Sequence, residues 1–270
     1  MESQASYYVE LARDCYEVKD YTKAIDYYES ALEHQMTTEL RNTVSLELGI
    51  NYSNAERYEK ASIILKPLLG KFDDRTSLFL LHSTLGFAYN ELRDYTNALS
   101  QNKLALELSE TDFQMADSYL NLALTHFFLE NYPQAKLCFS NAQSKLHNFD
   151  KFQLFLLHYY SGMTYLHLGE YENAITFINK LPKVLSSEDH SAMYFYISAI
   201  YYRLTANFEE MVIFCDKALK YKRNQLYHKD LLEGYKEEYF LSKKQRKGHR
   251  NKFMTMCRKV FGKDDDSKLK

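Results

Sequence analysis

The stretch Leu81–Ala105, LHSTLGFAYNELRDYTNALSQNKLA, decides the fold. Leu85, Gly86 and Tyr89 fall on one face of a first helix, Asp94 and Tyr95 make a turn, and Ala98 and Ala105 share the inward face of a second helix. Small and apolar residues recurring every three to four positions mark an amphipathic helix, whereas a strand would alternate. The small side chain of Ala98 lets the two helices approach closely, so the stretch predicts a helix pair joined by a short turn.

With the inward alanine as the mark, the unit recurs at Ala24, Ala61, Ala98, Ala135, Ala174 and, more weakly, Met211, at spacings of 37, 37, 37, 39 and 37 residues. Each mark follows an aromatic by three residues: Tyr21, Tyr58, Tyr95, Tyr132, Tyr171 and Phe208. This order of small and large residues resembles the tetratricopeptide repeat (TPR) over most of the chain. The resemblance implies an all-α fold, a right-handed superhelix (α-solenoid) of about six helix pairs closed by a C-terminal capping helix. The usual period of that repeat is about 34 residues, so extra residues are expected in its helices or turns.

Composition agrees with one continuous array. Only three prolines and eight glycines occur in 270 residues, and no Gly/Ser-rich linker interrupts them. Residues 1–225 are assigned to the array, 226–247 to a capping helix and basic connector, and 248–270 to a short amphipathic helix and polar tail. The cap is expected from Leu226 to Lys243, packing through Leu231, Leu232, Tyr235, Tyr239 and Phe240. Pro67 and Pro182 should end the helices before them, and Pro133 sits in a first turn, where proline is tolerated. Cys15, Cys138, Cys215 and Cys257 show no CxxC or Cys/His pairing and read as free thiols of a reducing compartment. With no basic leader, no apolar leader core and no run of about 20 apolar residues, a cytoplasmic protein without a membrane span is expected.

The motifs that carry chemistry are missing: no GxxxxGK[ST], GxGxxG, HExxH or GxSxG occurs. His82 and His158 occupy packing positions of their repeats, and His167 has no Ser or Cys predictably beside it. No catalytic set, metal site or cofactor is expected, and the chain does not read as an enzyme. What remains is a surface. In the TPR class the first helix of each pair lines the concave face. Counting 18, 15, 14, 11, 8 and 7 residues back from each mark therefore gives the positions that should face the groove. The candidates taken from these are Asn54, Phe87, Asn90, Asp117, Asn121, Phe127, Phe128, Tyr159, Tyr160, His167, Tyr196 and Arg203. An asparagine amide can donate to a carbonyl and accept from an N–H, so Asn54, Asn90 and Asn121 are suited to hold the backbone of an extended peptide. Aromatic walls would then take its side chains.

The longer period and the groove asparagines also resemble the peptide-binding TPR domains of the RRNPP quorum-sensing receptors of Gram-positive bacteria and their phages. Those receptors carry an N-terminal DNA-binding helix-turn-helix or a three-helix output bundle, and this chain has neither. The resemblance therefore implies a peptide-sensing regulator acting without its own DNA-binding domain, or through a partner protein. A general TPR adaptor is the alternative; a homodimer stays open. Charge separates along the chain: residues 221–270 hold 15 Lys/Arg against 7 Asp/Glu, while the first 220 residues carry a net −10. Lys243, Lys244, Arg246, Lys247, Arg250 and Lys252 could neutralise nucleic-acid phosphates, but a solvated connector is the favoured reading.

Overall fold

A computed structural model of the chain describes residues 2–145 and 149–244, with side chains from residue 4 onward. The described residues form helices and turns with no strand. The chain divides into two compact units, Met1–Leu168 and Gly169–Lys270.

The first unit holds α1 (Glu2–Glu17), α2 (Tyr21–Leu32), α3 (Thr38–Asn54), α4 (Tyr58–Leu65), α5 (Arg75–Glu91), α6 (Tyr95–Leu108), α7 (Asp112–Phe128), α8 (Tyr132–Ser144) and α9 (Lys151–His167). Consecutive helices pair: α1 with α2, α3 with α4, α5 with α6 and α7 with α8. Ala24, Ala61, Ala98 and Ala135, the marks of the sequence period, have no exposed surface. Where Gly49 and Gly86 sit, the helices come closer still. A Cβ on Gly49 would lie 2.3 Å from Leu65 Cδ2, and one on Gly86 would lie 1.9 Å from Asn102 Oδ1.

Helix ends follow local chemistry. Thr37, Asp74, Thr111 and Asp150 each accept a hydrogen bond from the backbone N–H three residues on, filling one of the unpaired donors at a helix start. At Thr111 and Asp150 the glutamine three residues on returns the bond, completing capping boxes with Gln114 and Gln153. The turn inside each pair closes on a residue with left-handed backbone: Lys19, Glu56, Arg93 and Glu130, at φ 58–61°. The next N–H reaches back five residues, as in Arg57 to the Tyr52 carbonyl at 2.8 Å and Asp94 to the Tyr89 carbonyl at 2.8 Å. Pro67 ends α4 at Leu65 and converts Lys66–Leu68 to a 3₁₀ turn, and Pro133 lies in the first turn of α8.

The second unit holds α10 (Tyr171–Ile178), α11 (Glu188–Leu204), α12 (Phe208–Ala218) and α13 (Lys222–Tyr227), followed by a helix over 229–244, α14. Pro182 lies in a 3₁₀ turn, Leu181–Lys183, just beyond α10. Ser187 caps α11 by accepting from the His190 N–H. The left-handed turn residues here are Gly169 and Ala206, at φ 72° and 58°. The core gathers Ala199, Met211, Cys215, Ala218 and Leu232, with Tyr235 and Tyr239 packed against it.

The single helix expected from Leu226 is therefore two. α13 begins at Lys222 and stops at Tyr227, and α14 follows across His228. Asn224 makes the difference: fully buried, it donates from Nδ2 to the Ala192 and Ala218 carbonyls and fixes α13 against α11 and the end of α12. Of the expected packing residues Leu232, Tyr235 and Tyr239 turn inward, whereas Leu231 and Phe240 are exposed. The amphipathic segment from Phe253, the basic side chains from Arg246 on, and Cys257 lie outside the described residues. Cys138 and Cys215 are buried free thiols whose burial pushes their ionisation up to about 11, and Cys15 is free and half-buried.

Candidate functional site

The first-helix positions of the first unit bring together a ladder of rings. Phe127 is its centre. It meets Tyr160 edge-on at 5.0 Å, Phe128 at 5.6 Å, Tyr132 at 5.7 Å and His167 at 5.9 Å between centroids. Phe128 also meets Tyr160 and stacks on Tyr95 at 5.6 Å, 12° from parallel. His167 stacks on Tyr132 at 4.2 Å, and Phe87 meets Tyr58 edge-on at 5.9 Å. Phe87, Phe127, Phe128, Tyr132 and Tyr160 are half-buried and His167 is exposed. Partial desolvation of its ring against Tyr132 and Phe127 pushes the His167 imidazole down, opposed by the charge of Glu130.

Tyr58, Tyr95 and Tyr132 were absent from the twelve candidates, yet they form one wall of the ladder. They are the aromatics three residues before each mark, so the signal lay in the repeat itself. Each opens a second helix, and its ring meets the last turn of the next repeat's first helix. Tyr159, by contrast, is buried and stacks on Phe155 at 5.7 Å, so it belongs to the core more than to the face.

Two of the three groove asparagines, Asn90 and Asn121, are buried. Asn90 is buried, donates from Nδ2 to the Asn121 carbonyl at 3.2 Å, and accepts at Oδ1 from the Thr125 hydroxyl at 2.8 Å. Both sides of its amide are spent on the neighbouring helix, which corrects the expectation that it holds a peptide backbone. Asn121 is buried too, and its Nδ2 turns to Asp117 at 3.4 Å. Asn54 is exposed at the end of α3. Fully buried Asn102 donates to Thr125 at 3.1 Å, extending the Asn90–Thr125 link into α6.

Asp117 is a junction of three helices. It accepts from Ser83 of α5 at 3.2 Å and from Gln153 of α9 at 2.9 Å, besides Asn121 on its own helix. Burial raises its pKa; the two inter-helix hydrogen bonds oppose the shift only in part. The same kind of tie joins the first two repeats, where Arg13 holds Glu47 through two guanidinium nitrogens, the closer contact 2.7 Å.

Within the second unit Tyr196 and Arg203 have partners of their own. Tyr196 stacks on His228 at 3.9 Å, while Arg203 pairs with Glu238 at 3.1 Å and lies over the Tyr235 ring at 4.6 Å. Both tie α11 to the C-terminal helices. Among the described residues no group of three or more His, Cys, Asp or Glu could hold a metal ion, and no helix is long and apolar enough to cross a membrane.

These stacked helix pairs are of the tetratricopeptide type, and the tetratricopeptide-repeat family matches residues 157–181. Solved structures share the fold. A chain of the APC/C hetero-tetramer Cut9-Hcn1 matches with a TM-score of 0.71 at 16% identity, covering 86% of this chain and 42% of that one. MamA from Desulfovibrio magneticus RS-1 (41-end) matches at 0.51 and 16% identity, over 67% of this chain and 93% of that one. A second MamA RS-1 structure, the ArsTM double mutant, matches at 0.52 and 14%, over 67% and 94%. No curated protein matches the sequence.

Proposed function

We propose that the chain is a non-catalytic protein-interaction module, an adaptor whose first-helix face in residues 1–168 takes an exposed segment of a partner protein. The observation that carries this reading is Phe127 and the four rings around it, which are left partly open to solvent. Contiguous apolar surface that the fold leaves uncovered marks a place where another molecule is to be buried. Rings meeting edge-on leave slots into which a partner side chain fits at small entropic cost, because the rings are already held by one another.

A regulator that senses a short secreted peptide is the narrower form of this reading. Its main support would have been amides free to hold a peptide backbone, and Asn90 is engaged within the protein. The structural neighbours lend it no support, so the adaptor is preferred. Affinity purification from the native cell with the parent chain and with the His167→Ala and Phe127→Ala variants tests it. Proteins captured by the parent should be lost from both variants while their helical circular dichroism is kept. Identical captures by all three would place the interaction surface elsewhere.

A further inference from the structure

One register repeats along the chain. The left-handed turn residues Lys19, Glu56, Arg93, Glu130, Gly169 and Ala206 all stand five residues before the marks Ala24, Ala61, Ala98, Ala135, Ala174 and Met211. The residue twelve before each mark is buried: Ala12, Gly49, Gly86, Ala123, Gly162 and Ala199. In α3–α4 and α5–α6 that residue faces the one four after the mark, since a Cβ on Gly49 would meet Leu65 and one on Gly86 would meet Asn102. α14 begins this register again. The sequence beyond it holds Gly248 and, five residues later, Phe253. With Phe253 as a seventh mark, Gly248 falls at the left-handed turn, where glycine carries no steric cost. α14, over 229–244, then starts within one residue of the place where α3, α5, α7, α9 and α11 start, 23 residues before their marks. The step from Met211 is 42 residues because α13 is inserted before α14. Leu241 takes the place of Gly49 and Gly86, yet it is 60% exposed, and Phe240 beside it is 54% exposed where Leu48, Leu85 and Leu122 are buried.

We propose that the chain's own residues 250–261 are the second helix of a seventh pair and cover Leu241 and Phe240 of α14. Phe253, Cys257 and Val260 recur at helical spacing. Cys257 and Val260 fall four and seven residues after the mark, the places held by buried Leu65 and Leu68 in the second repeat and by buried Cys215 and Ala218 in the sixth. The stretch is 12 residues long, within the eight to 14 of the other second helices. Sizes are exchanged across the contact. Leu241 is large where the other first helices carry Gly or Ala, and Cys257 is small where Tyr28, Leu65, Phe139 and Ile178 stand, so the summed volume is kept. Arg250, in place of the aromatic three residues before the mark, is the departure from the pattern.

The test is disulfide trapping in the full chain. Leu241→Cys sets a thiol opposite the native Cys257, while Cys138 and Cys215 are buried. Diamide takes up the two electrons and two protons released as the bond forms. Peptide mapping by mass spectrometry should find an intramolecular 241–257 disulfide. It should form about tenfold faster than a 233–257 disulfide in the Glu233→Cys variant, whose thiol lies about 12 Å further up α14. Independently, the chain cut after Lys247 should melt at a lower temperature than the parent and expose apolar surface to a hydrophobic dye. No bond to Cys257 in either variant, or equal rates in both, would overturn the proposal. A 241–257 bond found only between two chains would overturn it as well, by seating a second copy's segment on α14. So would a truncated chain that melts like the parent.

Discussion

His167 lies face to face with Tyr132, ring centroids 4.2 Å apart and 5° from parallel, as Phe128 lies on Tyr95 one repeat earlier at 5.6 Å and 12°. An imidazole thus takes the place of a phenyl ring at the same register position. Its folded pKa is lowered by burial. A depressed histidine contributes stability above its unfolded value, and that contribution is lost as pH falls through the folded value. His167→Phe keeps the stack and cannot be protonated. Between neutral pH and about pH 5 the thermal midpoint of the variant should therefore fall less than that of the parent. His126, His190 and His228, all lowered first by burial, keep the residual slope in both. Parallel midpoint curves for the two proteins would refute the assignment.

Gly86 and Asn102 form a coupled pair. Asn102 Oδ1 stands where a Cβ on Gly86 would be, with no hydrogen-bond partner, while its Nδ2 is fixed on Thr125. Gly86→Ala should destabilise by about 1–3 kcal/mol through overpacking. In an Asn102→Ala background the same change should be neutral or stabilising by up to about 1 kcal/mol, since alanine is the better helix former. A double-mutant cycle by urea unfolding measures the coupling; additive effects would show that the contact is relieved elsewhere.

Turn residues give a prediction of opposite sign. Ala206 holds φ 58° and Gly169 φ 72° at equivalent turns. An L-residue pays about 1–2 kcal/mol for left-handed backbone, and glycine returns part of that gain through the freedom it loses on folding. Ala206→Gly should stabilise by up to about 1 kcal/mol, and Gly169→Ala should destabilise by a similar amount. Differential scanning calorimetry decides; destabilisation by Ala206→Gly would mean the methyl group is used.

In α14, Leu232 is fully buried and Phe240 is 54% exposed. In the chain cut after Lys247, Leu232→Ala should cost about 2–5 kcal/mol and Phe240→Ala less than about 0.5 kcal/mol, read by chemical denaturation. Equal losses would mean that Phe240 is covered by another part of that chain.

The helix pairs were legible because Ala24 through Ala174 and the aromatics before them must repeat for the helices to approach, and that demand is written in residue size. The caps at Thr37, Asp74 and Asp150 carry an equally local signal, a short side chain whose oxygen can accept from the backbone N–H three residues on. The fate of Asn90 was not legible. An amide on a helix face looks the same whether a peptide or Thr125, 35 residues on, will satisfy it. The Arg13–Glu47 pair had a signal, opposite charges 34 residues apart on first helices, although counting back from the marks puts both on the concave face without pairing them. The left-handed turns at Lys19, Glu56, Arg93 and Glu130 carry no glycine, the residue that such backbone favours, and the break at His228 has neither glycine nor proline. There the geometry comes from packing on either side, not from the residue itself.

The polar ties between first helices of neighbouring repeats span nearly the same length of chain: 34 residues for Arg13–Glu47 and Ser83–Asp117, 31 for Asn90–Asn121, and 36 for Gln153–Asp117. Closing such a loop costs the same entropy wherever it is made, and none requires a distant part of the chain to be in place first. Folding of residues 1–168 can therefore start at any junction and spread to its neighbours, at the speed expected of short-range topology. The Asp117 junction, joining α5, α7 and α9 at one carboxylate, is where two such fronts would have to merge.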